Sequence, residues 1–370
     1  MLTRRSLLTA VAAAGSAALL LPATANAAPP DTSTPEGWLE WFAAHRADVS
    51  AVADYGTGHR LRHRPDESRV LASAIKVVHL AAYAAAVAAG RINPDEPIRL
   101  GEWDARHPYL GDGLIGSGSH HSALTWLGVP CDEYGVAKDP EQRVPLQKLA
   151  EAMILFSDNA AADYLRARLG DPALRAAAAK GGWPNPDLRM FGGETLLWLF
   201  PEYAPPAGTP VLVRRAVGDA LSDRFARDPG FRKLVLPQAF SHPPTTESTL
   251  AWVARTGRGP ATGLFALHRA LATGGGKAAA LARDVLALGL ADQVPPGADS
   301  VLFKGGSLPG VLTIGLDLLA PGRAGTGVLM LSNVSDVDFA NSVPLIEAAI
   351  GSLATPGGFT GLARAGTLSP

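Results

Sequence analysis

The chain predicts an α+β fold in which strands from its two ends form one antiparallel sheet and the middle supplies an all-helical subdomain. Three observations carry this. Apolar runs of strand character fall at Val49–Tyr55 and His59–Arg64 near the start, and at Ser300–Phe303, Val311–Leu319 and Val328–Asn333 near the end. The region between them places its apolar residues mainly at helical spacing, so a sheet must gather both ends of the chain. The composition, 370 residues with 47% hydrophobic and 18% charged, supplies a sizeable core, the low charge being made up by Ala and Gly. A net charge of −1 leaves no basic excess to neutralise phosphates and argues against a nucleic-acid partner. The single cysteine, Cys131, excludes an intrachain disulfide, so packing alone must hold the fold.

The first residues stand outside that fold. Thr3-Arg4-Arg5-Ser6-Leu7-Leu8 is a twin-arginine pattern, followed by an apolar run to Leu21 and the small-residue site Ala25-Asn26-Ala27. An apolar run of about 15 residues falls short of the roughly 20 that span a bilayer. Residues 1–27 are therefore expected to be a cleaved Tat-type export signal, leaving no membrane span and an extracellular, cell-wall or periplasmic protein. Residues 28–34 form a Pro-rich spacer, 35–354 the folded domain and 355–370 a flexible tail.

Within the domain, Pro35 opens a helix to about Arg46. Gly56-Thr57-Gly58 turns a first hairpin. A helix then carries Ser73 near its N-terminal end, with Val77, Val78, Leu80, Ala81 and Ala84 on its apolar face and Gly90 as its stop. Residues 93–145, rich in Gly, Pro and His, predict loops and short helices, and the helical subdomain is expected over about 93–295. Helices follow at Pro145–Phe156, Asn159–Leu169 and Ala173–Lys180, then a long loop over 183–210. Residues 211–295 are mainly helical, interrupted at Pro237–Pro244. Turns are expected at Gly305-Gly306 and Pro321–Gly327, and a last helix, Phe339–Leu353, packs back.

Three short motifs stand in one order: Ser73-Ala74-Ile75-Lys76, Ser157-Asp158-Asn159 and Lys304-Gly305-Gly306-Ser307. A Ser with a Lys three residues later puts a nucleophile and an amine on one helix face. Each motif alone has an ordinary explanation: a Lys reaching to water, a helix N-cap, a Gly-rich hairpin turn. Their order, their flanking apolar runs, Arg64-Pro65-Asp66-Glu67 ahead of the first and Ala160-Ala161 to Leu169-Gly170 after the second argue for the set.

The set resembles the serine penicillin-recognising hydrolases, above all the class A β-lactamases, over roughly residues 35–354. The resemblance implies a three-layer α/β/α arrangement with a helical subdomain. It makes Ser73 the nucleophile and Lys76 its base, and has Ser157 relay a proton to the leaving group. Asn159 would hold Lys76 and the substrate amide, and Lys304 would attract a substrate carboxylate. Gly306 would let substrate lie against a strand edge, and the backbone N–H of Ser307, with that of Ser73, would form an oxyanion hole. The family usually carries Thr or Ser where Gly305 stands, so one hydroxyl is missing.

Hydrolysis of the acyl-enzyme needs a base for water. The resemblance assigns this to a Glu after the Ser157 helices, and Glu194 lies in that stretch, with Glu202 a weaker candidate. The Pro and the Asn that usually follow such a Glu are absent: Thr195 and Leu196 come next. Trp103 and Tyr109 are expected to line the cleft as stacking surfaces. His107, His120 and His121 lack a zinc signature, and no cofactor or metal is expected. The expected partner is a small β-lactam, ester or peptide, with the protein a monomer. An esterase or a D,D-peptidase with the same acylation chemistry, and a non-catalytic binding protein of the same fold, are the alternatives.

Overall fold

A computed structural model describes residues 29–107, 118–241 and 244–355. Thr34 caps α1 (Pro35–Ala44) by accepting from the Gly37 N–H, with Pro in the first turn, where its missing donor costs nothing. Strands β1 (Val49–Asp54) and β2 (Arg60–His63) form the expected hairpin. Strand β3 (Ser68–Val70) leads through a single 3-10 turn, Ala72–Ile75, into α2 (Lys76–Ala88). The Gly/Pro-rich stretch holds β4 (Pro97–Arg99), α3 (Leu100–Asp104), α4 (Ser119–Trp126) and β5 (Arg143–Pro145). Next come α5 (Leu146–Leu155), α6 (Asn159–Leu169), α7 (Asp171–Lys180) and α8 (Phe191–Leu199). They are followed by α9 (Val211–Arg227), α10 (Pro229–Ser241) and α11 (Thr246–Val253). Strand β6 (Arg258–Pro260), α12 (Ala261–Thr273) and α13 (Gly276–Ala287) precede β7 (Ser300–Leu308), β8 (Val311–Ala320) and β9 (Arg323–Ser332). Helices α14 (Asp336–Ala340) and α15 (Ser342–Ala354) complete the described chain.

Two compact units emerge. One comprises the described residues up to Val77, Ala179–Pro186 and those from Arg258 onward; the other is Val78–Ala178 with Asp187–Gly257. The first is built on a five-stranded antiparallel sheet of order β2-β1-β9-β8-β7. Register fixes what covers it. Gly315 lies opposite Val328, and Asp317 opposite Thr326, so these four share a face. A Cβ on Gly315 would come within 2.3 Å of His268 Nε2, which puts α12 on that face. A Cβ on Gly325 would meet Leu353 of α15 at 3.5 Å, on the other. Both faces are covered, and accordingly all 6 residues of β1 are buried. The three-layer arrangement expected for the sheet is therefore present. Inside it, His268 Nδ1 donates to Asp317 Oδ2 at 2.9 Å and the Thr326 hydroxyl to Asp317 Oδ1 at 2.7 Å, satisfying a buried carboxylate.

The second unit is helical. Its α8–α10 core gathers Leu196, Leu197, Leu221, Phe225, Phe231 and Val235. Helix α8 lies in the stretch expected to be a loop. Two glycines mask it in the sequence, yet Gly193 is what lets it pack: a Cβ there would sit 2.2 Å from the Gly218 carbonyl of α9. The Asp163 carboxylate accepts from the N–H groups of Phe191 and Gly192, both at 2.8 Å, and so closes the helix start from a distance.

Other boundaries move for similar reasons. Pro237 lies inside α10 rather than ending it. Strand β7 runs straight through Gly305-Gly306, which is therefore not a turn. Strands β8 and β9 stay paired as far as Ala320 and Arg323, so their reversal is tighter than expected. Helices α12 and α13 pack on the sheet, so the helical unit ends at Gly257, short of the expected 295. Among the described residues no helix is long and apolar enough to cross a membrane.

Candidate active site

Ser73 sits in the 3-10 turn between β3 and α2, one turn earlier than a regular helix would place it. Residues three apart eclipse one another in such a turn. Lys76 Nζ accordingly reaches Ser73 Oγ at 2.9 Å. Ser73 is half-buried, while Lys76 is 0% exposed. Ala72, just before Ser73, has φ 46°, a left-handed conformation that costs a residue with a Cβ about 1–2 kcal/mol. Such strain is held only where the surroundings enforce it. Here the Thr313 hydroxyl donates to the Val70 carbonyl at 2.9 Å, and Leu71 is fully buried.

Strand β7 lies against this turn. Lys304 and Gly306 pair with Gly315 and Thr313, and so share their face of the sheet. A Cβ on Gly306 would stand 2.5 Å from the backbone N of both Ser73 and Ala74 and 2.8 Å from the Leu71 carbonyl. Only glycine permits this approach, which brings the strand carrying Ser307 against the Ser73 backbone. Lys304 is 2% exposed and donates to the Gly305 carbonyl at 2.9 Å. Burial first, and the charge of Lys76 second, hold its amine well below the usual lysine range. The Lys304 amine, expected to attract a substrate carboxylate, is thus buried and electrostatically linked to Lys76. Ser73, Lys76, Lys304, Gly306 and Ser307 all belong to the sheet unit.

Ser157 and Asn159 belong to the helical unit. Ser157 occupies the left-handed region at φ 56°, between α5 and α6. The cap of α6 is Asp158, whose Oδ1 accepts from the N–H groups of Ala160 at 2.8 Å and Ala161 at 3.2 Å. Capping therefore consumes neither Ser157 nor Asn159, and both stay half-buried while Asp158 is fully buried. Four non-glycine residues of the described chain have positive φ, and one is Ser157 and another adjoins Ser73.

Residues 39–198 match the family model described as the β-lactamase enzyme family. Among solved structures, a β-lactamase from Sphaerobacter thermophilus DSM 20745 is similar at 17% identity and TM-score 0.54, covering 88% of this chain and 99% of that one. The ancestral (GNCA) class A β-lactamase is 19% identical at TM-score 0.51, over 87% and 98% of the two chains. A point mutant of PBP-A, solved as an acyl-enzyme complex with penicillin G, is 14% identical at TM-score 0.51, over 86% and 96%. Residues 39–198 thus fall within the β-lactamase family model, and the fold of the chain is that of the β-lactamases and of PBP-A. Comparison with curated proteins returns no match.

The candidate deacylation base is built into a strut. Glu194 Oε1 accepts from Arg189 at 3.0 Å and Oε2 from Arg214 at 2.8 Å, and the residue is 7% exposed. Arg189 is itself paired with Asp187, and the Glu194 carbonyl accepts from Trp252 Nε1 at 2.9 Å. A water-activating base needs a carboxylate oxygen aimed at water, and here both are held by fixed guanidinium donors. Glu194 thus ties α8 to α9 and to Arg189, an arrangement that argues against its expected part as that base. Glu194→Ala should cost about 3 kcal/mol by leaving two buried guanidinium groups underpaired. Thermal melts should register that loss, and the rate at which a Ser73 adduct hydrolyses should stay within about twofold of native. A large slowing would restore Glu194 as the base.

Glu202 lies exposed in the Pro201–Tyr203 turn. Trp103 does not line a cleft: it is 0% exposed, its ring nearly perpendicular to that of His120 at 4.9 Å, and it belongs to the core. Tyr109 lies outside the described residues. His120, which carries no zinc signature in the sequence, is 0% exposed and bridges Asp104 and Asp158. Nothing in the spacing of 104, 120 and 158 announces that bridge. Among the described residues no group of three metal-ligating side chains comes together.

Proposed function

We propose that this protein is an exported serine hydrolase that forms an acyl-enzyme on Ser73, with β-lactams as acylating substrates. The observation that carries the reading is the 2.9 Å contact between Ser73 Oγ and a wholly buried Lys76 amine. A lysine acts as a base only when uncharged, and a dry site already holding a second lysine disfavours two ammonium groups together. Lys76 takes the Ser73 proton as Oγ attacks the carbonyl carbon. The backbone N–H groups of Ser73 and Ser307 hold the negative oxygen of the tetrahedral intermediate. As the amide C–N bond breaks, the proton goes to the leaving nitrogen, a relay that the resemblance assigns to Ser157. The twin-arginine start of the chain supports export, and its residues precede the described structure.

The clamped Glu194 favours a second reading: an esterase or D,D-peptidase with the same acylation step, in which a penicillin would leave a long-lived adduct. One experiment tests both. The protein is incubated with a fluorescent penicillin and with an activated ester, and the labelled peptide is located by mass spectrometry. A label on Ser73 is the expected result, and the lifetime of the penicilloyl adduct separates the readings: seconds for a β-lactamase, hours for the alternative. No label on Ser73 from either probe would refute acylation and leave a non-catalytic member of the fold.

A further inference from the structure

We propose that His120 is a positioning residue for acylation: as an imidazolium bridging Asp104 and Asp158, it locks the turn that presents Ser157 and Asn159. This rests on the acylation reading above. The charge state follows from hydrogen-bond chemistry. His120 Nδ1 lies 2.8 Å from Asp158 Oδ2 and Nε2 lies 2.9 Å from Asp104 Oδ1. Each carboxylate is also an acceptor on its other oxygen: Asp158 Oδ1 from Ala160 and Ala161, Asp104 Oδ2 from Ala137 at 2.9 Å. Ionised carboxylates only accept, so both ring nitrogens must carry hydrogen, which is the imidazolium.

The bridge has mechanical work to do. Asp158 is at once the cap of α6 and the neighbour of both Ser157 and Asn159, and Ser157 is held at φ 56°. A left-handed serine relaxes unless its flanks are fixed. The α5 side is fixed by the Phe156 N–H donating to the Ala152 carbonyl at 3.0 Å, and the α6 side by Asp158. His120 ties Asp158 in turn to Asp104 at the end of α3 and, through Ala137, to the chain beyond α4. Three buried charges sum to one negative charge at the start of α6, where a helix favours it.

The groups facing His120 include Asp104, Asp158, the perpendicular Trp103 ring and the His107 ring, with centroids 4.5 Å apart for the two histidines. His107 Nε2 donates to the Tyr134 carbonyl at 3.0 Å. Burial alone would lower the His120 pKa. The charge of Asp158 and the hydrogen bonds to both carboxylates override it and raise the group from 6.5 to about 10. The sign follows: the bridge contributes full stability below about pH 6.5, the unfolded value, and loses it as pH rises through about 10.

The test uses the full chain with 15N-labelled histidine. Nitrogen NMR should show His120 as imidazolium from pH 6 to 8.5; a neutral ring at pH 7.5 would overturn the proposal. Asp104→Asn removes one of the two charges that hold the proton while keeping an acceptor. In that variant the alkaline limb of Ser73 acylation by an activated ester should move to lower pH by at least one unit. From a native value of about 10, a one-unit move makes acylation at pH 9 about twofold slower and a two-unit move about tenfold, with half-saturation unchanged. A folded Asp104→Asn whose pH profile overlays the native one would refute a positioning role, because a merely structural bridge alters melting and leaves the profile in place. If that variant does not fold, the native protein still decides: loss of acylation must follow the His120 titration, and acylation unaffected by deprotonation of His120 overturns the idea. Absence of acylation at every pH would instead refute the reading it rests on, with the NMR titration still reporting the bridge.

Discussion

Lys76→Met should slow acylation of Ser73 by about three orders of magnitude while leaving the fold intact. General-base catalysis contributes about 10²–10⁴-fold, and the upper half of that range applies because Lys76 is the amine in direct contact with the serine hydroxyl. Met matches the stem of Lys in length and is apolar. Lys76 is 0% exposed, so the substitution removes a buried amine without opening a hole. Melting should hold steady or rise, since an ionisable group has left a dry site. Lys304 should respond as well. The charge of Lys76 is one of the two causes that lower its amine, so in the variant Lys304 should titrate higher than in the native protein. Time courses of fluorescent-penicillin labelling read the first effect. Labelling within about threefold of native would remove Lys76 from the role of base.

Gly306→Val should cost at least about 100-fold in acylation, by a route involving no functional group at all. The atoms that a Cβ would strike are the backbone nitrogens of Ser73 and Ala74 at 2.5 Å and the Leu71 carbonyl at 2.8 Å. None can swing aside as a side-chain end could. To restore van der Waals contact, β7 and the turn must part by about 1 Å, a displacement that alone suffices for a loss of about 10²-fold. The same shift separates the two N–H groups proposed to receive the oxyanion. Half-saturation should change far less than the maximal rate, because the lost interaction belongs to the tetrahedral intermediate. Near-native labelling in a folded Gly306→Val protein would mean that the oxyanion is bound elsewhere.

The sheet and the Ser73–Lys76 contact were legible because their signals are local. Alternating strands, a Ser and a Lys one turn apart, and the apolar face of α2 all lie within short windows of sequence. What escaped was set by groups distant along the chain. Helix α8 carries two glycines, and its formation depends on Asp163 at its start and Gly218 on its flank. Glu194 sat in the expected window for a base, but Arg189 and Arg214 decide its role. Trp103 read as a cleft wall because the residues around it looked like loop, whereas α3 buries it against His120.

The order of strands across the sheet also sets a timetable. Ser73 and Lys76 are made early, whereas β7, whose Gly306 closes on the Ser73 turn, lies more than two hundred residues later, and β1 has no neighbour on its second edge until β9 exists. Pairings of such long sequence separation are slow to form, since a large loop must close before they return any contact energy. A ribosome-bound chain therefore carries Ser73 for most of its synthesis without the strand that completes the surroundings of that serine. Reactivity at Ser73 should appear abruptly, with the last strands and helices, and a nascent chain stalled before Ser300 should take up no acyl label.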